Sequence, residues 1–191
     1  MHVHTNELGA DVGTERKFLF VLGSARRDGN TEQLAGLAAE QLGEVEQRWL
    51  WLGDVPLAEY RDVRYPVSER PEPTGNEKLL LDATLEATDI VIASPTYWYS
   101  VSSSTKRYLD HWSNWERVPG FLDTMAGKHL WAVTALAEEP HQAGALLDAL
   151  QRAAAYLKMT WRGGLVGVGN RPGDVLSDPT ALTAAKTFFT A

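Results

Sequence analysis

The 191-residue chain contains no cysteine. That excludes disulfides, thiolate nucleophiles and cysteine-ligated iron–sulfur clusters within it, and it fits a reducing cytoplasm, the expected location. No run approaches the roughly 18 apolar residues that a membrane span needs, and the opening MHVHTNELGADVGTERK lacks the apolar core of a signal peptide. A soluble protein is expected. Basic charge is scarce, with 18 lysines and arginines against 25 aspartates and glutamates and a net charge of −7. Phosphate backbones are attracted by basic faces, so nucleic acid is not an expected partner and any anion site has to be local.

What the chain does have is a succession of short apolar runs separated by helical periodicities. Residues 1–16 carry no apolar period and read as a loose tail, and residues 17–191 read as one domain. His2 and His4 lie in that tail without a third ligand, so a solvated tail is favoured and no metal is expected. Strands are expected at residues 18–22, 45–52, 89–94 and 129–134, with a fifth inside 159–168. Helices are expected from Thr31 to the stop at Gly43, from Thr74 to about Ala87, after Ser102 or Ser103, from Pro140 to Lys158, and after Asp178-Pro179. Thr74 and Glu77 stand at capping-box spacing. Residues 53–75 hold several prolines and many charges and read as a surface excursion, a candidate rim for an active site. Strands alternating with helices imply an α/β fold, a doubly wound five-stranded parallel sheet, whose ligands sit beyond the carboxyl ends of the strands. The loops after strands one, three and four are therefore the informative ones.

The first of these, Gly23-Ser24-Ala25-Arg26-Arg27-Asp28-Gly29-Asn30-Thr31, lacks the Gly-Lys-Ser/Thr ending of a nucleoside-triphosphate loop and the close glycine spacing of a dinucleotide loop. It offers the Ser24 hydroxyl, the Arg26 guanidinium, the Asn30 amide, the Thr31 hydroxyl and backbone N–H groups at a helix start, which suit a terminal phosphate dianion. The competing reading is that Asn30 or Thr31 only caps the helix while the arginines face water. The loop after strand three, Pro95, Thr96, Tyr97, Trp98, Tyr99 and Ser100, puts three aromatics in a row. They cannot all point into one core, so at least one ring is available to a flat heteroaromatic ligand, unless the trio covers a sheet edge or a subunit contact.

GSARRDGNT resembles the G-S-x-R-x-x-G-N-T phosphate loop of the NADPH-dependent FMN reductase family, in the flavodoxin-like superfamily. SPTYWYSVSSSTKRYLD is similar to the family's S-P-x-Y-x-x-S segment, Ala126-Gly127-Lys128 to the entry of its fourth strand, and the residues around Asp54, Pro56 and Tyr60 to its acid-proline-tyrosine run. The resemblance covers most of residues 17–170. It implies the strand order 2-1-3-4-5, FMN as cofactor with NADPH or NADH as donor, and a homodimer. It assigns the FMN phosphate to Ser24, Arg26, Asn30 and Thr31, and the isoalloxazine border to residues 95–100. The chain departs from the family at Thr134-Ala135-Leu136-Ala137, where relatives place a glycine-containing loop; Thr134 is kept as a cofactor-binding candidate. It departs again at Trp98, where smaller residues are common.

The activity implied is that of an FMN-dependent NAD(P)H oxidoreductase passing hydride from nicotinamide through FMN to free flavin, a quinone or a similar small acceptor. Such chemistry demands no acid–base dyad, and no catalytic side chain is expected. His111, beside Trp112 and Trp115 on the third helix, reads as a core or subunit contact. Two other readings stay open: an electron carrier docking to protein partners, supported by the acidic charge, and a flavodoxin-like module that has lost flavin.

Overall fold

The apolar residues 18–22 form the centre of the fold because they are flanked by strands on both sides. In a computed structural model, which describes residues 15–62 and 72–190, strands β1 (Lys17–Leu22), β2 (Glu46–Trp51), β3 (Asp89–Ala93), β4 (His129–Leu136) and β5 (Thr160–Val168) form one parallel sheet in the order β2-β1-β3-β4-β5. This is the expected order. The three inner strands are almost wholly buried, in line with their uninterrupted apolar composition, while the edge strand β2 has only exposed and half-buried residues and β5 is buried only at Leu165 and Gly167.

Two cores lie on opposite faces of the sheet. One packs Leu19, Ile90 and Leu130 against helices α2 (Gly75–Glu86), α3 (Ser103–Trp115) and α5 (Gly144–Tyr156); the other packs Phe18, Phe20 and Trp131 against α1 (Asn30–Ala39) and the C-terminal helix, labelled α6 (Pro179–Ala185). A short helix, α4 (Phe121–Met125), falls where no helix is expected; it is one turn long, and its burial of Phe121 and Met125 carries no periodicity to read. Residues 140–143 form a 3₁₀ turn, so the helix expected from Pro140 begins as an α-helix at Gly144.

Ser102 caps α3, accepting a hydrogen bond from the Thr105 amide at 3.2 Å, and Asp178 caps α6 through the amides of Thr180 and Ala181. The capping box at α2 does not form. Thr74 occupies the N-cap position without a side-chain hydrogen bond, and Glu77 turns instead to α3, where its Oε1 accepts from Trp115 Nε1 at 3.0 Å and lies 3.1 Å from His111 Nδ1. The opposite end of α2 is closed by Lys128, whose ammonium donates to the carbonyls of Leu85 and Ala87. Lysine near the last carbonyls satisfies orphan acceptors and the helix dipole together. That is the physical content of the Ala-Gly-Lys run before β4. Burial lowers the Lys128 pKa against the opposing pull of Asp89.

Tyr108, Trp112 and Trp115 on α3 are all buried in the chain's own core, so this helix offers no aromatic face to a second copy. Of the 1–16 tail, residues 1–14, with His2 and His4, lie outside the described residues. Arg16 is tied down: it pairs with Asp89 at 2.7 Å, with a second contact at 3.2 Å, and donates to the Phe189 carbonyl. Residues 63–71 of the 53–75 excursion also lie outside the described residues. Among the described residues no helix is long and apolar enough to cross a membrane.

Candidate functional site

The carboxyl ends of β1, β3 and β4 open on one edge of the sheet, where its winding reverses between β1 and β3. There the loops after the strands enclose a two-lobed cleft. The first lobe, about 210 Å³, is lined by the β1 loop with Ser24, Arg26 and Gly29, by Asn30 and Thr31 at the start of α1, and by Pro95, Thr96 and Tyr97 after β3. The second, about 490 Å³, shares Thr96, Tyr97, Leu136 and Ala137 with the first and continues to Trp98, Tyr99 and Glu138.

Why the first lobe is cationic and rich in donors can be traced residue by residue. Gly29 is the N-cap of α1 and has no side chain to offer its first turn, so neither Asn30 nor Thr31 is the cap. The amides of Asn30, Thr31 and Glu32 therefore precede the first helical hydrogen bond, Gln33 N to Gly29 O at 3.0 Å. A Cβ at Gly29 would stand 3.3 Å from Ser24 Oγ, tightening the cradle. Gly23 lets α3 approach closely, since a Cβ there would fall 1.8 Å from Thr105 Oγ1. Of the two arginines, Arg27 is turned away: it pairs with Asp54 and stacks over the Trp51 ring at 3.9 Å, while Trp51 Nε1 donates to the Ser24 carbonyl at 2.7 Å. Arg26 is exposed, lines the lobe and has no side-chain partner among the described residues. Among the described residues it is the lobe's single charged lining residue.

Asn30 lines the lobe and also holds a neighbouring loop in place. Its Nδ2 donates to the Arg171 carbonyl at 2.9 Å, and its Oδ1 accepts from the Gly173 amide at 2.9 Å. The side chain thus fastens the loop after β5 over the start of α1. Gly169 of that loop has no room for a Cβ, which would sit 2.6 Å from Asn30 Nδ2. With Asn170, it lines the first lobe. The β5 loop was not among those expected to matter; the Gly-Val-Gly-Asn run ending at Asn170 is the signal that could have found it.

The aromatic trio is divided by a tight turn. Tyr97 and Ser100 exchange backbone hydrogen bonds of 2.9 and 3.1 Å, with Trp98 and Tyr99 at the tip at φ 49° and 62°. Positive φ at both central residues marks the hairpin turn that ordinarily carries Asn-Gly. The amides of Tyr97 and Ser100 are consumed by the hairpin, and Ser100 does not line the cleft. Trp98 is 94% exposed and Tyr99 52%. Thr134 lies beneath the floor: it is fully buried, its hydroxyl 2.9 Å from that of Thr96, and the residues that reach the cleft are Ala135, Leu136 and Ala137.

Other sequence candidates fall elsewhere. His111 is buried far from these loops in contact terms, between Glu77 and the Ala58 carbonyl, 3.1 Å from its Nε2. The described part of the 53–75 excursion, with Tyr60 and Arg61, lines a separate cavity beside His111 and Trp115, so it forms no rim to the cleft. Among the described residues no group of three or more His, Asp and Glu could hold a metal ion.

The donor set of the first lobe fits a phosphate, and the exposed rings of the second fit a planar ligand. Comparison with known proteins agrees. A protein of Bacillus subtilis named as an NAD(P)H-dependent FMN-containing oxidoreductase, YwqN, is 27% identical over 173 residues, covering 88% of this chain and 94% of the relative. The solved structure of a Trp repressor binding protein from Bacillus subtilis superposes with a TM-score of 0.72 at 25% identity, over 90% of this chain and 97% of its own. The flavodoxin-type WrbA-like protein from Agrobacterium tumefaciens shares the fold, with a TM-score of 0.59 at 14% identity, over 93% and 96% of the two chains. The family model for NADPH-dependent FMN reductases matches residues 16–172, and the chain belongs to that family, with its flavodoxin-like fold, FMN as cofactor and NAD(P)H as electron donor.

Proposed function

We propose that the chain holds the FMN phosphate in the first lobe and the isoalloxazine against the second, and passes electrons from NAD(P)H to a small acceptor such as free flavin or a quinone. One observation carries the reading: a donor-rich lobe with a single guanidinium opens directly into a lobe walled by exposed aromatic rings. When bound, FMN supplies the hydride chemistry, and the protein supplies placement and electrostatics.

Each residue then has a task of binding or positioning. The Ser24 and Thr31 hydroxyls and the amides of Asn30 and Thr31 donate to the phosphate, and Arg26 neutralises its charge. Asn30 acts through its clamp on the β5 loop. Thr134 positions Thr96 through the hydroxyl contact beneath the floor. Pro95 borders the first lobe and Tyr97 the join of the two, while Trp98 and Tyr99, whose amides have no acceptor among the described residues, reach the ring. Ser100 fixes the turn that presents them. Among the described residues the lining holds one carboxylate, Glu138, and no histidine or lysine.

A homodimer acting in the cytoplasm belongs to the same reading, supported by the family resemblance and by the absence of cysteine. Anaerobic mixing tests the core of it. Purified protein loaded with FMN should lose its oxidised-flavin absorbance on addition of NADH or NADPH and regain it with a quinone or free flavin. Flavin that stays oxidised with both donors would sink the reading.

A further inference from the structure

Trp98 and Tyr99 occupy the left-handed region of the backbone, which is unfavourable for residues that carry a Cβ. Strain of this kind persists where the surroundings or a function hold it in place. Here it thrusts two rings into solvent at the open end of the cleft, and the Trp98 ring has almost no packing of its own. On the facing side, β4 ends at Leu136, and Ala137 and Glu138 complete the wall of the same lobe.

The two lobes have opposite charge. Among the described residues, Arg26 is the single charged one lining the first, and Glu138 the single one lining the second. The Glu138 carboxylate is exposed, has no hydrogen bond or ion pair among the described residues, and is followed at once by Glu139. Aromatic faces are electron-rich, so a cation is attracted both by the Trp98 ring and by the carboxylate, and an anion is repelled by both. Among the described residues the second lobe is lined by no cation that would compensate for a negative ligand, in a chain whose net charge is already −7.

Resting on the FMN reading of the cleft, we propose that the second lobe admits planar aromatic acceptors that are neutral or cationic and discriminates against anionic ones, with Glu138 as the charge-determining residue and Trp98 as the stacking surface. Sulfonated or carboxylated ring systems are thus poor acceptors, and ring systems carrying a quaternary nitrogen are good ones.

The test uses two redox-inert probes with one ring system: a naphthalene bearing a trimethylammonium group and a naphthalene bearing a sulfonate, titrated into the purified protein loaded with FMN and followed by calorimetry. The cationic probe should bind about three- to tenfold more tightly, the range expected of a partly exposed charge pair with a cation–π contact. Glu138→Gln should remove most of that preference, Glu138→Lys should reverse it, and Trp98→Ala should weaken the cationic probe. Rising salt should shrink the preference, because the carboxylate is exposed. A cationic and a sulfonated quinone of one ring system should then show the same ordering in kcat/KM. Equal affinities for the two probes, or a preference that survives Glu138→Gln, would overturn the proposal. A protein that binds no FMN, yet shows the probe preference without it, would instead overturn the reading of the cleft as a flavin site.

Discussion

Arg26 and Arg27 are adjacent, chemically identical and opposite in role. Trp51 and Asp54 take the second by stacking and pairing, which leaves the first to the cleft. Arg26→Ala should therefore weaken FMN binding by about 1.5–3 kcal/mol, the usual range for a charge-assisted hydrogen bond. Arg27→Ala, which removes only an exposed pair and a stack at the surface, should change it by under about 1 kcal/mol. Fluorescence titration of both variants checks the contrast. The sequence marks both arginines as candidates but does not rank them, because the answer depends on Trp51, which arrives from the neighbouring strand. Asn30 repeats the lesson. Its type and position suit a phosphate ligand, yet the chain's own β5 loop, far away in sequence, engages its amide.

At the other end of the sheet, Asp89 is a residue that sequence reading treats as a strand boundary. It is fully buried and receives Arg16, Thr88 and Trp131, with His129 Nδ1 at 3.0 Å. Burial pushes its carboxyl up, but the hydrogen bonds from Arg16, Thr88 and Trp131 and the Arg16 charge outweigh that and hold it below the ordinary range. A carboxyl depressed in the folded state stabilises above its unfolded pKa, about 3.9, and the contribution is lost as pH falls through the folded value. Asp89→Asn should cost about 2–4 kcal/mol at neutral pH, toward the lower part of the range for a broken buried pair because Arg16 remains partly hydrated. The variant should also lose part of the wild-type decline in stability below about pH 4. Urea denaturation at pH 7 and at pH 3.5 measures both effects.

At the scale of elements, local signals succeed where the partner is also local. Ser102 and Asp178 cap their helices as their positions suggest, since an N-cap needs only the next few amides. Thr74 and Glu77 have the spacing of a capping box, but the Trp115 indole and the His111 ring on α3 claim the Glu77 carboxylate, a choice that no local pattern encodes. The turn at Trp98 and Tyr99 goes further against local preference. A turn with positive φ at both central residues favours Asn-Gly, and replacing the two aromatics by Asn-Gly should raise stability by about 1–3 kcal/mol, seen as a higher thermal midpoint. The same replacement should abolish the cation preference of the second lobe. An unchanged or lower midpoint would mean that the rings are packed rather than strained.

For the whole molecule, the doubly wound parallel sheet and the position of the cleft follow from alternating short strands and helices, while the strand order comes from the family resemblance and is the one observed. Right-handed crossovers and buried inner strands leave few alternatives, and the strand-end loops at the reversal of the winding are where such folds bring several elements to one ligand. The two-lobed division of the cleft was legible on one side, in the phosphate loop and the aromatic run. It was illegible at Glu138 and Gly169, because what those residues face is decided by the ends of β4 and β5. In the proposed reading an acidic protein holds an anion locally, where Arg26 and the start of α1 line one lobe.

That convergence is the central claim, and comparison of FMN with riboflavin tests it most directly, because the two differ only in the phosphate. Titrated into the flavin-free protein, FMN should bind at one site per chain, and riboflavin should bind at least roughly a hundredfold more weakly, as the loss of two or more charge-assisted hydrogen bonds requires. Equal affinity for the two flavins, or no binding of either, would contradict it.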